Sequence, residues 1–99
     1  MIAIVATNLA LTKAQSKRLA MMAQDGIARS VRPAHTPFDG DTVFALSTGS
    51  GPVVPPADLL MLGSAAADCL ARAIMRAVTA AEPLGGVAGW RQKWRSSPA

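Results

Sequence analysis

Runs of apolar residues alternate with amphipathic stretches along this chain, and together they predict four elements. Residues 2–6 form a continuous apolar run with two isoleucines and a valine, which is typical of a strand covered on both faces. A second apolar run, residues 42–46, predicts a second strand. Apolar residues recur at helical spacing after each run. The predicted order is strand, helix, strand, helix, which indicates an α/β fold.

The first helix is predicted to begin after Thr12, because Thr12 and Gln15 have the spacing of a capping box. Pro33 limits the helix at its other end. Lysines and a glutamine occupy the face of this helix that is expected to be exposed to solvent. The stripe expected to face the core consists of Leu19, Met22, Ala23 and Ile27.

The second helix is predicted from Pro55 to about Ala81. Asp68, Arg72 and Arg76 follow at four-residue spacing on one side, which predicts exposed ion pairs. Charges along the helix would be costly in a bilayer, so no membrane span is predicted. The side expected to face the core consists of Leu59, Leu62, Ala66, Leu70, Ile74 and Ala77.

The composition indicates that part of the apolar surface is covered by something else. The chain has 99 residues, of which 51% are hydrophobic and 16% charged, so it forms at most one small domain with little stability in reserve. A sheet of two strands is marginal by itself. We therefore expect further strands from another chain or from an upstream segment. Residues 1–82 are expected to form the α/β segment and residues 83–99 a basic tail.

The net charge of +4 does not indicate a basic face. Arg91, Lys93 and Arg95 lie in the last nine residues, and the rest of the chain is nearly neutral. Trp90 and Trp94 interleave with these cations, so contact with nucleic acid or a membrane surface is one interpretation. A solvated tail, or one docked on its own protein, is favoured because the basic segment is so short. Neither nucleic acid nor a membrane is predicted as a partner.

Cysteine usage and the start of the sequence favour a cytoplasmic location. Cys69 is the single cysteine, so no internal disulfide forms, and no signal-peptide pattern precedes the first strand. Because Cys69 lies on a helix among alanines and leucine, a buried structural thiol is favoured over a nucleophile.

The candidate chemistry lies in the loop before the second strand. Asp39 and Asp41 flank Gly40 at the mouth of that strand, and an extended backbone would point both side chains to the same side. Spacing alone favours a solvated turn. His35 is a surface residue, a general base, or a third metal ligand with the two aspartates, but that set is too sparse to name a metal, so no metal or cofactor is predicted. Residues 47–51 favour a plain turn over a substrate or phosphate pocket.

Three stretches carry a resemblance to a known family. They are residues 2–8, residues 11–20 and residues 38–45, which read IAIVATN, LTKAQSKRLA and FDGDTVFA. These stretches resemble the C-terminal, or β, chain of the self-processing aminopeptidases of peptidase family S58, which include D-aminopeptidases and β-peptidyl aminopeptidases. Within the family they are most similar to the nylon-oligomer hydrolases. The resemblance covers most of residues 1–81 and implies a layered αββα sandwich assembled from both pieces of a precursor.

The resemblance also implies a mechanism with an N-terminal nucleophile. Family members are made as one chain that cuts itself before a Ser or Thr, whose freed α-amine can serve as base. Asp39 and Asp41 match the acidic positions beside that nucleophile. Two close carboxylates repel, so one is expected to hold a proton near neutral pH, and which one stays open. The helping Lys and Asn of the family come from the preceding chain.

Alignment on the first strand puts Met1 one position after the family nucleophile. Thr7 is no substitute, because it lies along the strand without a freed amine. The chain is then a truncated fragment, a product of a mis-assigned start, or a β-type chain without its nucleophile. We expect the β-chain-like portion of an amide-bond hydrolase, which pairs with an upstream α-chain-type segment in a homo-oligomer of heterodimers and acts on a small amide or peptide. The chain alone is expected to be inactive. The alternative function is an inactive fragment or a packing and interaction module.

Overall fold

The computed structural model describes residues 1–95, with only the backbone of Arg95 described. Two strands pair in parallel, with Ile2 opposite Thr42 and Thr7 opposite Ser47. The predicted order of strands and helices is confirmed, although the first helix is divided in two at Gln24. In chain order the elements are β1 Ile2–Thr7, α1 Lys13–Ala23, α2 Asp25–Ser30, β2 Thr42–Ser47, a short 3-10 helix Pro56–Asp58, α3 Leu59–Ala80 and α4 Trp90–Arg95.

The capping box predicted for the first helix is confirmed. The backbone N–H of Gln15 donates to Oγ1 of Thr12 at 3.1 Å, and the backbone N–H of Thr12 donates to Oε1 of Gln15 at 3.0 Å. Both bonds satisfy backbone donors that the first turn of a helix leaves unpaired. Helix α1 therefore begins at Lys13.

The core lies between one face of the sheet and the helices. The predicted stripes meet there, since α1 contributes Leu19 and Ala23, α2 contributes Ile27 and α3 contributes Leu70. Val5 of β1 completes the buried cluster. Ala77, which was predicted to face the core, is exposed, because it lies in the last turn of α3 and lines an open groove with Met1 and Ile2.

The other face of the sheet carries apolar side chains that no part of residues 1–95 covers. Ile2 is 81% exposed and Phe44 is 56% exposed, and Ile4 and Leu46 on the same face are also exposed. Because side chains alternate along a strand, these residues all project away from the helices. We expected β1 to be covered on both faces. The described residues cover only the face of β1 that is turned toward the helices.

An apolar groove runs between β1 and α3. Of the two strands, α1 contacts mainly β2, whereas α3 contacts β1, whose second edge pairs with no strand within residues 1–95. Val5 and Thr7 line the groove on the strand side, and Leu62, Cys69 and Ala73 line it on the helix side. Cys69 is exposed, so the expectation of a buried thiol was wrong. The residue lies at the border of the α3 stripe, and there is no strand among residues 1–95 on that side of β1 to cover it.

Two surface predictions need correction or completion. Asp68 pairs with Arg29 of α2 at 2.6 Å, rather than with Arg72 of its own helix. The segment predicted as a basic tail contains α4, and Arg91 of that helix pairs with Glu82 at 3.2 Å. Residues 96–99 of the predicted tail lie outside the described residues. Within residues 1–95, no helix combines the length and hydropathy needed to cross a membrane.

Candidate functional site

The candidate site lies where β1 and β2 both begin. The backbone N–H of Thr42 donates to the carbonyl oxygen of Met1 at 2.9 Å, so the parallel ladder extends to the residue before β1. The register gives Met1 the position opposite Asp41. The first residue of the chain and the acidic loop are thus held together by sheet hydrogen bonding.

Asp41 is held on both carboxylate oxygens. Its Oδ1 accepts from the amino nitrogen of Met1 at 3.2 Å, and its Oδ2 lies 3.1 Å from Nδ1 of His35. The Asp41 side chain is only 10% exposed. The hydrogen bond from the Met1 ammonium lowers the pKa of Asp41 below its ordinary 3.8, burial opposes this, and His35 lowers the pKa further. Asp41 is therefore charged at neutral pH in the 99-residue chain.

Asp39 has different partners from Asp41. Its Oδ2 accepts from the backbone N–H of Thr36 at 3.2 Å and from the hydroxyl of Thr36 at 2.9 Å. Its own N–H donates to the Thr36 carbonyl at 3.1 Å, which closes a tight turn. The expectation that the two carboxylates project to one side assumed an extended backbone at Asp39, but the strand begins only at Thr42. Asp39 therefore lies in a turn, whereas Asp41 lies at the end of the sheet ladder.

His35 is the residue that the sequence left undecided, and the structure pairs it with Asp41. It has a φ of 56°, in the left-handed region that side chains other than glycine seldom adopt. Sharing a loop with Asp41 was the one sequence signal for this pairing. No group of three or more histidine, cysteine, aspartate or glutamate residues within residues 1–95 is arranged to bind a metal.

The small-residue turn after β2 is fastened to the chain that leaves β1. The hydroxyl of Ser47 donates to the carbonyl of Leu9 at 2.6 Å and accepts from the N–H of Leu11 at 3.3 Å. The N–H of Gly51 donates to the carbonyl of Asn8 at 2.6 Å. Because these polar groups satisfy one another, the segment acts as a turn that ties the two strand ends together.

Comparison with known proteins identifies the family. The model of peptidase family S58 matches residues 1–92. The chain belongs to peptidase family S58. An uncharacterized aminopeptidase of Mycobacterium tuberculosis and one of Mycobacterium bovis are each 46% identical to the chain over 101 residues. An uncharacterized aminopeptidase of Mycobacterium leprae is 48% identical over 97 residues.

This chain matches only part of the length of these relatives. The alignments cover 91% of this chain and 29% of the M. tuberculosis and M. bovis proteins, and 87% of this chain and 27% of the M. leprae protein. The chain thus spans less than a third of the length of these aminopeptidases. Both the loop with Asp39 and Asp41 and the start of β1 lie within the part matched by the family model.

The lowered pKa of Asp41 predicts a specific loss of stability in acid. A carboxylate whose pKa is lowered by folding stabilises the fold above its unfolded pKa, and this contribution disappears as the pH falls through the folded pKa. Asp41→Asn should therefore reduce the free energy of unfolding of the 99-residue chain at neutral pH. The deficit should shrink as the pH falls below the ordinary value of 3.8, and it should vanish once the pH lies below the folded pKa of Asp41. Urea titrations across this pH range measure it.

Asp58→Asn is the matched control, because Asp58 is exposed and its side chain makes no capping hydrogen bond to α3. Its effect should be small at all pH values. A deficit in Asp41→Asn that persists unchanged in acid would contradict the assigned electrostatic role.

Proposed function

We propose that this chain is the β-chain-like part of an amide-bond hydrolase whose nucleophile, an N-terminal Ser or Thr, directly precedes Met1. The supporting observation is the register of the sheet. Met1 stands opposite Asp41, so one further residue of the same ladder would stand opposite Gly40, between Asp39 and Asp41. A residue at that position would have its amine and hydroxyl beside the acidic loop.

The proposed reaction is acyl transfer to that hydroxyl. The freed α-amine takes the hydroxyl proton as the oxygen attacks the substrate carbonyl, and the tetrahedral intermediate then collapses to an ester while the proton passes to the leaving amine. Water next attacks the ester, which releases the carboxylic acid and restores the hydroxyl. The Lys and Asn that the family resemblance implies in the upstream segment would stabilise the oxyanion.

Asp41 has a clear task in this scheme. Its Oδ1 bonds the nitrogen of residue 1, which is the atom joined to the carbonyl carbon of the nucleophilic residue. The carboxylate thereby fixes the peptide unit that bears the nucleophile. Its negative charge also favours a nearby α-amine in the protonated state that forms during attack.

The proposed partner is the upstream segment of the same enzyme. The uncovered face with Ile2 and Phe44 and the groove beside β1 give this segment two apolar surfaces to cover. The relatives have more than two thirds of their length outside the matched region, which is enough chain to supply further strands. We propose that these strands complete a layered αββα sandwich, and that such heterodimers associate further.

The proposed substrates are short linear amides with the spacing of aminohexanoate oligomers. The support is the similarity of the FDGDTVFA and LTKAQSKRLA stretches to the nylon-oligomer hydrolases. D-amino acid amides and short β-peptides are the competing substrates from other branches of the family. A panel of these three classes distinguishes them by kcat/KM.

Complementation tests the proposed activity. Residues 1–99 are joined to the part of the M. tuberculosis relative that precedes the matched region, so that this relative supplies the junction residue and the upstream strands. The fused protein is expected to cut itself at the junction and to hydrolyse amides, whereas the 99-residue chain does neither. Replacing the junction Ser or Thr by Ala is the control and should abolish both reactions.

Two outcomes would contradict the proposal. One is amide hydrolysis by the pure 99-residue chain that survives Asp39→Ala combined with Asp41→Ala. The other is a fused protein that folds and retains its junction residue but hydrolyses no member of the panel, which would favour an inactive packing module. The reading frame upstream of the Met1 codon gives a cheaper check, since Asn-Thr or Gly-Ser before Met1 supports the proposal.

Cys69 reports on the proposed docking of the upstream segment. Its thiol is exposed in the groove beside β1, and it is the only cysteine of the chain. We expect it to react readily with a thiol reagent in the 99-residue chain. In the complex with a cysteine-free upstream segment, the rate of thiol modification should fall by about tenfold or more, since local opening must then precede reaction.

Ser64→Cys in a Cys69→Ala background controls for general protection, because Ser64 is exposed on α3 and does not line the groove. Equal protection at both positions would contradict docking in the groove.

A further inference from the structure

His35 and Asp41 form a pair that extends beyond the residues the proposed reaction requires. Nδ1 of His35 lies 3.1 Å from Oδ2 of Asp41, while the other oxygen of the same carboxylate bonds the nitrogen of Met1. Each of the two contacts engages a different oxygen of the carboxylate. A carboxylate fixed in this way keeps one orientation relative to the start of β1.

The backbone at His35 adds an independent observation. A non-glycine residue with a φ of 56° is in a sparsely populated backbone conformation, which persists where the surroundings enforce it. The turn closed by Thr36 and Asp39 lies between His35 and Asp41 and sets the path of the chain from one to the other. With this backbone conformation and this turn, Nδ1 of His35 lies 3.1 Å from the Asp41 carboxylate.

The geometry also assigns the proton on the ring. An ionised carboxylate only accepts hydrogen bonds, so Nδ1 of His35 must be the donor in its contact with Asp41. In the neutral ring Nε2 then carries no proton. The side chain is 43% exposed, so the ring remains in contact with water.

We infer that His35 is a positioning residue for the proposed amide hydrolysis, and that it acts by orienting the Asp41 carboxylate toward the backbone nitrogen that follows the nucleophile. This inference rests on the proposed function. The hydrogen bonds of His35 and of residue 1 meet at Asp41 rather than joining the two residues directly, so the effect of His35 on the reaction passes through Asp41. A general base would instead need to reach the nucleophile itself.

A measurement on the 99-residue chain tests the pair without any catalysis. His35 is the only histidine, so long-range ¹⁵N–¹H spectra of the imidazole show a single ring. We expect the neutral ring to be protonated at Nδ1. Asp41→Ala should move the proton to Nε2, whereas Asp58→Ala, an exposed carboxylate on another element, should leave it in place. A ring protonated at Nε2 in the unmodified chain would overturn the inference.

Kinetics of the fused enzyme separate positioning from a merely structural role. His35→Gly removes the backbone strain together with the donor, whereas His35→Asn keeps a donor near the place of Nδ1 and tolerates a positive φ. We expect His35→Gly to lower kcat by about 10-fold to 100-fold with KM nearly unchanged, and His35→Asn to recover most of that loss. Full kcat in His35→Gly would overturn the inference. An unmodified fused enzyme without activity would count against the proposed function. The ring tautomer in the 99-residue chain would then still show whether His35 donates to Asp41.

Discussion

Asp41→Asn in the fused enzyme is expected to lower kcat by about 100-fold or more, whereas Asp39→Asn lowers it by about tenfold at most. The two residues are only two positions apart and chemically identical, so the difference must come from their surroundings. Asp41 holds the nitrogen of residue 1 and is nearly buried. Asp39 is exposed, and the hydrogen bonds of its carboxylate are to Thr36.

The substitution to Asn separates charge from shape at both positions. At Asp39 the remaining side-chain oxygen still accepts from the N–H and hydroxyl of Thr36, so the turn survives. At Asp41 the amide loses the negative charge and offers one acceptor where the carboxylate uses two oxygens, one toward Met1 and one toward His35. The amide therefore weakens at least one of these contacts.

The measurement is kcat and KM of the two variants and the unmodified fused enzyme, each purified after complete self-cleavage. Far-UV circular dichroism and gel filtration confirm that every variant has assembled. A larger loss in Asp39→Asn than in Asp41→Asn would contradict the division of roles. Loss of self-cleavage in Asp41→Asn alone would still agree with it, because the cut uses the same peptide unit.

The elements of this fold could be predicted because local chemistry specifies them. The Thr12 and Gln15 capping box sets the start of α1, and the spacing of the apolar stripes on α1 and α3 is enough to identify Leu19 and Leu70 as core residues. These signals lie within a few residues of the feature that they predict. The strands were recognised for the same reason, since a short apolar run with β-branched residues has few alternatives.

The parts that could not be predicted depend on contacts between distant residues. Asp68 has a basic residue at four-residue spacing, but Arg29 of another helix lies closer and takes the ion pair. The exposure of Cys69 depends on whether a strand lies beside β1, which helix periodicity does not report. Whether a residue is buried is thus less certain at the border of a stripe than at its centre.

The acidic loop shows the same limit within the candidate site. The spacing of Asp39 and Asp41 identified the residues, but their orientation depended on whether the backbone was extended. The turn at Thr36 gives Asp39 other partners than Asp41 has, and His35, with its positive φ, places a third side chain against Asp41. Loop conformation is determined by such side-chain to backbone bonds, for which residue type alone gives only a general preference.

Gly26→Ala is expected to destabilise the chain although helix propensity predicts the opposite. In an exposed helix the change from glycine to alanine is favourable by about 1 kcal/mol. Gly26 is buried in α2 against α3, where a new Cβ would lie 3.0 Å from the backbone nitrogen of Ala71 and still closer to the carbonyl oxygen of Ala67. Backbone atoms of α3 have no rotamer to change, so the two helices must separate. We expect a net loss of about 2 kcal/mol and a fall in Tm of about 10 °C.

Two other glycines provide matched controls for this effect. Gly40→Ala meets no atom within 4 Å, so it should change Tm little. Gly63→Ala meets the side chain of Met22 rather than backbone, and methionine adapts readily, so its cost should fall between the other two. Thermal unfolding of the three variants by circular dichroism gives the order. A Tm for Gly26→Ala at or above that of the unmodified chain would mean that α2 is free to move away from α3, and α2 would then not contribute to the rigid support of the loop that carries His35 and Asp41.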